Sequence, residues 1–122
     1  EDFMRKFAKA QWYAKREGMV YGKVLSFCPL NWRTTDDAAE DVLQAALDSC
    51  FFPIYEVEKA HTTITYDPDS VGRRRPVADW LALMGKTKHL LTPENAERLE
   101  SIESEIDRRW QRLKIMHAHE GL

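Results

Sequence analysis

The sequence predicts a small α+β fold built around one core. Apolar residues recur at three- and four-residue steps in several stretches, which is typical of amphipathic helices. Two neighbouring runs alternate instead between apolar and polar residues, which is typical of paired strands. The 122 residues include only five Gly and five Pro, and 43% are hydrophobic. This is the composition of an ordinary globular chain, long enough for one modest core.

The first elements are a helix and a strand. An amphipathic helix is predicted over Asp2 to Lys15 and ends at Gly18. The stretch from Met19 to Phe27 is rich in β-branched and aromatic residues and stops at the Cys28-Pro29 step, so it predicts a mostly buried strand. Residues 31–35 predict a loop. The apolar stripe of the helix comprises Phe3, Met4, Phe7, Ala8 and Ala14.

A second helix and a hairpin are predicted next. Thr35 or Asp36 can cap a helix that ends near Asp48. Phe51 to Glu58 and His61 to Tyr66 alternate on either side of a two-residue connection, which predicts a β-hairpin.

The C-terminal half carries an arginine-rich loop and two helices. Arg73 to Arg75 lie in the loop, and Val77 to Met84 predict a short helix. Thr92-Pro93 has the form of an N-cap followed by proline at the first helical position, and a helix is predicted from Pro93 to about His117. At about 1.5 Å per residue it would be about 37 Å long. Its apolar stripe is therefore expected to need more surface than this chain offers.

Charge and hydropathy exclude several classes of protein. The formal net charge of −2 argues against a nucleic-acid binder. No apolar run approaches the roughly 20 residues that span a bilayer, and no secretory signal pattern is present, so a cytoplasmic location away from membranes is expected. The chain begins at Glu1 and enters a helical pattern at once, which suggests a piece of a longer polypeptide.

Cys28 is the best-placed candidate for chemistry. It lies where the predicted strand ends, and strand ends are where α/β folds present functional groups. A lone cysteine is nevertheless more often a core residue, and Cys50 is expected to be one. Because the chain has no Cys-x-x-Cys pair, it cannot form a four-cysteine metal site by itself.

Other polar groups have ordinary interpretations. His117 and His119 resemble an incidental surface pair more than a metal site. Arg73 to Arg75 are expected to form a solvated turn. The acidic residues that precede the second helix suit the positive end of its dipole. They are Asp36, Asp37, Glu40 and Asp41.

Five short motifs in a fixed order carry a family resemblance. They are residues 26–32 (SFCPLNW), 52–58 (FPIYEVE), 75–81 (RPVADWL), 88–94 (KHLLTPE) and 106–110 (IDRRW). In this order they resemble the C-terminal part of the thiamine-diphosphate-binding β subunit of the 2-oxoacid:ferredoxin oxidoreductases, the pyruvate synthase type. The resemblance covers nearly the whole chain.

The resemblance implies an activity and its cofactors. The family carries out coenzyme-A-dependent oxidative decarboxylation of a 2-oxoacid and passes electrons through iron–sulfur clusters to ferredoxin, with the bond breaking supplied by thiamine diphosphate. It implies that Cys28 is the fourth thiolate of a 4Fe-4S cluster. The other three cysteines, the residues that hold thiamine diphosphate with Mg, and the other subunits would lie outside this chain, which is therefore expected to be inactive alone.

The resemblance also implies an α/β fold and a division of the chain. Residues 1–33 would be the last helix and strand of the thiamine-binding core with the Cys-Pro loop. Residues 34–122 would be a C-terminal extension ending in a long helix that packs on neighbouring subunits. The residues expected at that interface are Leu99, Ile102, Ile106 and Trp110.

The sequence departs from the family pattern around the expected site. Leu30-Asn31 replaces the usual Thr-Gly, Phe27 replaces a common Pro, and Lys86-Thr87-Lys88 replaces Arg-Phe-Lys. The departures leave the 2-oxoacid open, with pyruvate as the expected substrate. Two other interpretations also remain at this point: a non-enzymatic α+β interaction module that docks through its long helix, and a zinc or redox-thiol protein.

Overall fold

The chain folds as five helices and one hairpin in a computed structural model that describes residues 2–119. The helices are α1 (Asp2–Arg16), α2 (Pro29–Trp32), α3 (Ala39–Asp48), α4 (Val77–Ala82) and α5 (Ala96–Ala118). The strands are β1 (Ile54–Glu58) and β2 (His61–Tyr66), and short 3-10 turns occupy Asp36–Ala38, Lys88–Leu91 and Pro93–Asn95. The predicted α+β character is confirmed by this mixture of helices and a two-stranded sheet, and residues 2–119 form no larger sheet.

The core lies where α3, α4 and α5 meet. The apolar positions of each helix recur at helical spacing, so one face of each turns inward and the polar residues stay in solvent. The buried apolar side chains are Val42, Ala45, Ala46, Cys50, Val77, Trp80, Leu81, Met84, Ile106, Trp110 and Leu113. Among residues 2–119, no helix has the length and hydropathy needed to cross a bilayer.

The predicted hairpin is confirmed. β1 and β2 are antiparallel, and Glu58 pairs with His61 at the turn. The two turn residues, Lys59 and Ala60, have φ angles of 50° and 65°. Positive φ at both positions gives the turn whose twist matches that of paired strands. Helix α5 packs along β2, which places the hairpin beside the core.

The predicted range of helix α1 is confirmed by the structure. Gly18, with φ of 114°, lies just beyond the end of the helix. The helix docks on the hairpin through polar contacts and buries none of its residues. Lys9 donates hydrogen bonds to Glu56 and Glu58 at 3.0 and 2.9 Å. The Tyr13 hydroxyl also bonds to Glu58, and this contact is the first cause, before Lys9, of the lowered pKa of Glu58. The apolar stripe of α1 is thereby left facing outward.

The predicted buried strand over Met19 to Phe27 is wrong. These residues are neither strand nor helix, and most are exposed, Met19 at 98% and Tyr21 at 82%. A strand needs a neighbour to satisfy its backbone groups, and within residues 2–119 the only sheet is the hairpin itself. Leu25 and Phe27 alone turn toward the core as half-buried residues.

The loop predicted at residues 31–35 begins later than expected. Pro29 starts the single turn of α2, because proline is favoured at a first helical position. The turn ends at Arg33, whose φ of 53° reverses the chain direction. Residues 34–35 then lead to the helical segment predicted from Asp36 to Asp48, which is confirmed as a 3-10 turn followed by α3.

The predicted long helix is confirmed as α5, but the interface expected for its stripe is wrong for Ile106 and Trp110. Ile106 and Trp110 are 4% and 2% exposed within this chain, and Leu99 and Ile102 pack against the same core. The stripe packs along β2 and the 3-10 turn Lys88–Leu91, and its buried residues share one core cluster with residues of α3 and α4. A module that docks through the apolar stripe of this helix is therefore not favoured.

Asp69 links a loop to the core and makes stability depend on pH. It accepts hydrogen bonds from Trp110 Nε1 at 2.8 Å and from Lys114 Nζ at 2.9 Å, and these two contacts, in that order, lower the pKa of its carboxyl. A carboxyl with a lowered folded-state pKa adds stability above its unfolded pKa, and this stability is lost as the pH falls through the folded pKa.

We therefore expect an Asp69→Asn variant to lose less stability than the unmodified chain below about pH 4, near the unfolded pKa of aspartate. Asparagine keeps an acceptor for Trp110 but does not titrate. Urea midpoints measured from pH 7 to pH 2 check this. Parallel pH curves for the two proteins would contradict it.

Candidate functional site

Cys28 lies on the surface at the residue that precedes α2. Its thiol is free, and its residue is exposed. Its φ and ψ angles of −139° and 99° are extended, so the chain passes from an extended segment into a helical turn at this residue. The Cys28 carbonyl accepts a hydrogen bond from Trp32 N at 3.0 Å, which joins the cysteine to the far end of the turn. The sequence predicts this thiol at the end of a strand, but no strand precedes it among the described residues, and the thiol is instead presented at the start of a helical turn.

Aromatic rings hold the turn against the core. Trp32 packs edge-on against Phe27 and Trp80, with ring centroids 5.8 and 6.4 Å away. Trp80 in turn packs on Phe51 at 4.1 Å. Beside these rings is a mostly apolar cavity of about 250 Å³ that Trp32, Phe51 and Trp80 line with Leu25, Met84, Lys86 and Thr87. The position of the Cys28 turn is thus set by residues from three separate parts of the sequence.

A second segment, residues 84–88, contacts the same turn. Gly85 N donates to Arg33 O at 3.1 Å, and Lys86 N donates to Trp32 O at 3.3 Å. Lys86 Nζ also reaches Asn31 Oδ1 at 3.1 Å. Asn31 and Lys86, two of the residues that differ from the family pattern, are therefore neighbours in space. The sequence around Gly85 indicates only a loop, since glycine is a common turn signal, and the close approach of Gly85 to Arg33 is visible only in the structure.

The prediction that Cys50 is a structural core residue is confirmed. It is 3% exposed within the core, and Arg74 donates a hydrogen bond to its sulfur. Burial, opposed in part by the positive charge of Arg74, raises the pKa of this thiol to about 12. A thiol in this environment stays protonated at neutral pH and is a poor nucleophile or metal ligand.

The three loop arginines follow an exposed turn, as predicted, and Arg73 is itself exposed, but all three also make ion pairs that the sequence did not predict. Each pairs with a carboxylate: Arg73 with Asp48, Arg74 with Asp107 and Arg75 with Asp79, at 3.6, 2.5 and 3.3 Å. The pairs connect the loop to α3, α5 and α4. Tertiary contacts, absent from a local sequence pattern, bring these carboxylates to the arginines. A phosphate would have to compete with them.

The two C-terminal histidines are on the surface. His117 Nδ1 lies 3.3 Å from both Ile64 N and Thr62 O, so its ring rests against the outer edge of β2. Across residues 2–119, no three His, Cys, Asp or Glu side chains converge as a metal-binding group.

The donor set of this chain can supply one ligand to a 4Fe-4S cluster. Such a cluster takes four thiolates. Cys28 is free and exposed, as a ligand shared with another segment must be, whereas Cys50 is enclosed in the core and bonded to Arg74. The thiol of Cys28 fits one corner of a cluster, and the remaining ligands would have to come from residues outside this chain.

Comparison with known proteins gives a consistent set of relatives. The pyruvate synthase subunit PorB of Methanocaldococcus jannaschii is 34% identical over 100 residues, covering 82% of this chain and 31% of that protein. PorB of Thermotoga maritima is 31% identical over 108 residues, covering 88% and 32%. The ketoisovalerate oxidoreductase subunit VorB of Pyrococcus furiosus is 29% identical over 114 residues, covering 93% and 34%. No family model and no solved structure matches.

These matches define the class as an oxidoreductase subunit. Within that class, the chain belongs to the β subunits of the 2-oxoacid:ferredoxin oxidoreductases. The family resemblance carried by the five motifs is thereby confirmed. The chain spans about a third of the length of the curated relatives it matches.

Proposed function

We propose that this chain is the C-terminal part of the β subunit of a pyruvate-type 2-oxoacid:ferredoxin oxidoreductase. The observation that carries the proposal is the match over 82–93% of the chain to subunits of pyruvate synthase and ketoisovalerate oxidoreductase. The complete enzyme would decarboxylate a 2-oxoacid oxidatively, form the coenzyme A thioester and pass electrons to ferredoxin. Thiamine diphosphate with Mg, held outside this chain, supplies the carbanion chemistry.

Within this enzyme, Cys28 donates one thiolate to a 4Fe-4S cluster. Three features support this assignment: the thiol is free, it is exposed, and it lies on a short turn held by aromatic packing and hydrogen bonds. A ligand at a fixed position keeps the cluster at a fixed distance from its electron donor. Hydrogen bonds and solvent exposure near the sulfur then tune its reduction potential.

The test is a Cys28→Ser variant of the complete assembled enzyme. Because serine is a poor ligand for iron, we expect cluster content to fall by about one cluster per β subunit and electron transfer to ferredoxin to fall at least tenfold, the lower end of the loss seen when metal-site partners are removed. Thermal stability of the subunit should stay close to that of the unmodified protein, since Cys28 contributes no core packing. Iron analysis and the visible absorption of the cluster provide the measurement.

The matched control is Cys50→Ser. It also replaces a thiol by a hydroxyl, but in the core beside Arg74. We expect it to lower stability while the folded fraction keeps its iron. If Cys28→Ser retains full cluster content, the assignment of Cys28 is refuted.

We further propose that residues 1–33 complete the thiamine-binding domain and residues 34–122 form an extension. Nine of the fifteen large apolar side chains exposed in residues 2–119 lie between Phe3 and Leu30. The segment from Met19 to Phe27 is neither helix nor strand, and most of its residues are exposed. Both features suit a region whose neighbours belong to the rest of the subunit.

Co-expression with the remaining part of the subunit tests this division. We expect residues 3–27 to gain protection from hydrogen exchange on assembly, because the apolar stripe of α1 and the exposed residues before Cys28 become buried against the rest of the subunit. The core of α3, α4 and α5 should change little, which serves as the internal reference. Equal exchange of residues 3–27 in the free and assembled states would overturn the proposed division.

A further inference from the structure

We propose that Gly85 is a positioning residue for Cys28; the inference rests on the proposed function, in which Cys28 is a cluster ligand. Gly85 does not touch the thiol. It acts through Arg33, whose carbonyl accepts a hydrogen bond from Gly85 N at 3.1 Å. The adjacent bond from Lys86 N to Trp32 O makes the contact two residues wide. We call Gly85 and Lys86, with these two bonds, the brace.

The absence of a side chain at Gly85 is what allows the contact. A Cβ atom built there would lie 2.9 Å from both the Cβ and the carbonyl oxygen of Arg33, closer than real Cβ contacts come. Gly85 is not among the glycines with positive φ in the described part of the chain, so the requirement is for space rather than for an unusual conformation. Because one clashing atom belongs to the backbone of Arg33, alanine would displace that backbone.

The displacement has a short path to Cys28. Arg33 closes the four-residue turn of α2 with φ of 53°. Inside that turn, Trp32 N bonds to Cys28 O at 3.0 Å, and Thr34 N bonds to Pro29 O at 3.1 Å. A single helical turn tied at both ends moves as a unit. A shift at Arg33 is therefore passed to the residue at the start of the turn, which is Cys28.

Lys86 adds a side-chain arm to the brace. Its Nζ reaches Asn31 Oδ1 at 3.1 Å, on the exposed side of the same turn. Asn31→Ala removes this arm without adding an atom near Arg33. Gly85→Ala is thus expected to displace the turn, whereas Asn31→Ala only removes one of the contacts that hold it.

The first measurement uses this chain without iron. The amide resonance of Cys28 in a ¹H–¹⁵N spectrum reports the position of the turn. We expect Gly85→Ala to move it and Asn31→Ala to move it less. The matched control is Gly22→Ala, the same substitution where a Cβ would meet nothing within 4 Å and φ is ordinary; it should leave residues 31–34 unchanged.

The second measurement uses the complete assembled enzyme. We expect Gly85→Ala to shift the reduction potential and the electron paramagnetic resonance spectrum of the cluster. We also expect a chelator to remove the cluster about ten times faster, because residues that orient a metal ligand affect metal affinity by about this factor. A glycine with a merely structural role would lower the melting temperature and leave the spectrum of the folded fraction unchanged.

The outcomes separate the inference from the proposed function. An unmoved Cys28 resonance in Gly85→Ala, or an unchanged cluster spectrum in an enzyme that holds the cluster, overturns the role of Gly85. If Gly85→Ala fails to fold, the same two measurements on Asn31→Ala test the Lys86 contact of the brace, and no effect there overturns the claim that the brace positions Cys28. Full cluster content in Cys28→Ser refutes the proposed function instead.

Discussion

Replacing Trp110 with alanine is expected to lower the free energy of unfolding by about 3–5 kcal/mol, the usual cost of truncating a large buried aromatic residue. Trp110 is 2% exposed, and its ring fills the core where α5 meets the other helices. The variant also leaves Asp69 without the indole donor at 2.8 Å. Since a domain of this size is stable by about 5–15 kcal/mol, the loss is a large fraction of the total. Urea unfolding followed by circular dichroism measures it.

Trp12→Ala is the matched control for this prediction. Trp12 is 48% exposed on α1, so the same chemical change should alter stability by about 0.5 kcal/mol or less. Trp110→Phe retains most of the buried ring and removes only the hydrogen bond to Asp69, and its effect should fall between the two. If Trp110→Ala and Trp12→Ala had equal effects, α5 would not belong to the core of this chain.

Replacing Asp48 with alanine is expected to cost about 1–3 kcal/mol, because polar groups that now share its carboxylate would lose their acceptor. Asp48 is 3% exposed at the end of α3. Its Oδ1 accepts hydrogen bonds from the Tyr66 hydroxyl at 2.5 Å and from Gln44 Nε2 at 2.8 Å. Arg73 approaches Oδ2 at 3.6 Å but is itself half-exposed, so solvent screens its contribution. Thermal unfolding measures the loss.

Two further variants show which part of the contact matters. Asp48→Asn keeps an acceptor oxygen for Tyr66 and removes the charge, so it should cost less than Asp48→Ala. Asp41→Ala changes an exposed aspartate of the same helix and should alter stability by about 0.5 kcal/mol or less. Equal losses for Asp48→Ala and Asp41→Ala would show that the carboxylate does not hold α3 to the hairpin.

These core contacts bear on the proposed chemistry. Trp80 belongs to the same core as Trp110 and packs against Trp32 in the turn that follows Cys28. A rigid core therefore gives the exposed thiol a defined position even though the residues before it have no sheet partner in this chain. In the proposed enzyme, the core of the extension would hold the Cys28 turn in place, while the remaining cluster ligands come from elsewhere.

The sequence alone determined the local elements. Helical periodicity predicted α1, α3, α4 and α5, and alternation across Lys59-Ala60 predicted the hairpin, because these signals are local and repeat within each element. The order of five motifs was enough to identify the family, which the relatives then confirmed. The core role of Cys50 also followed from its apolar surroundings in the chain.

The tertiary structure decided which surfaces each element uses. It placed the apolar stripe of α5 against the chain's own core, paired the loop arginines with carboxylates, and left Met19 to Phe27 without a strand partner. It also brought Gly85 against Arg33, 52 positions away in the printed sequence. Periodicity shows that a face is apolar or that a segment favours extension. It does not show what that face or segment will meet, because partners distant in sequence are selected only when the whole chain packs.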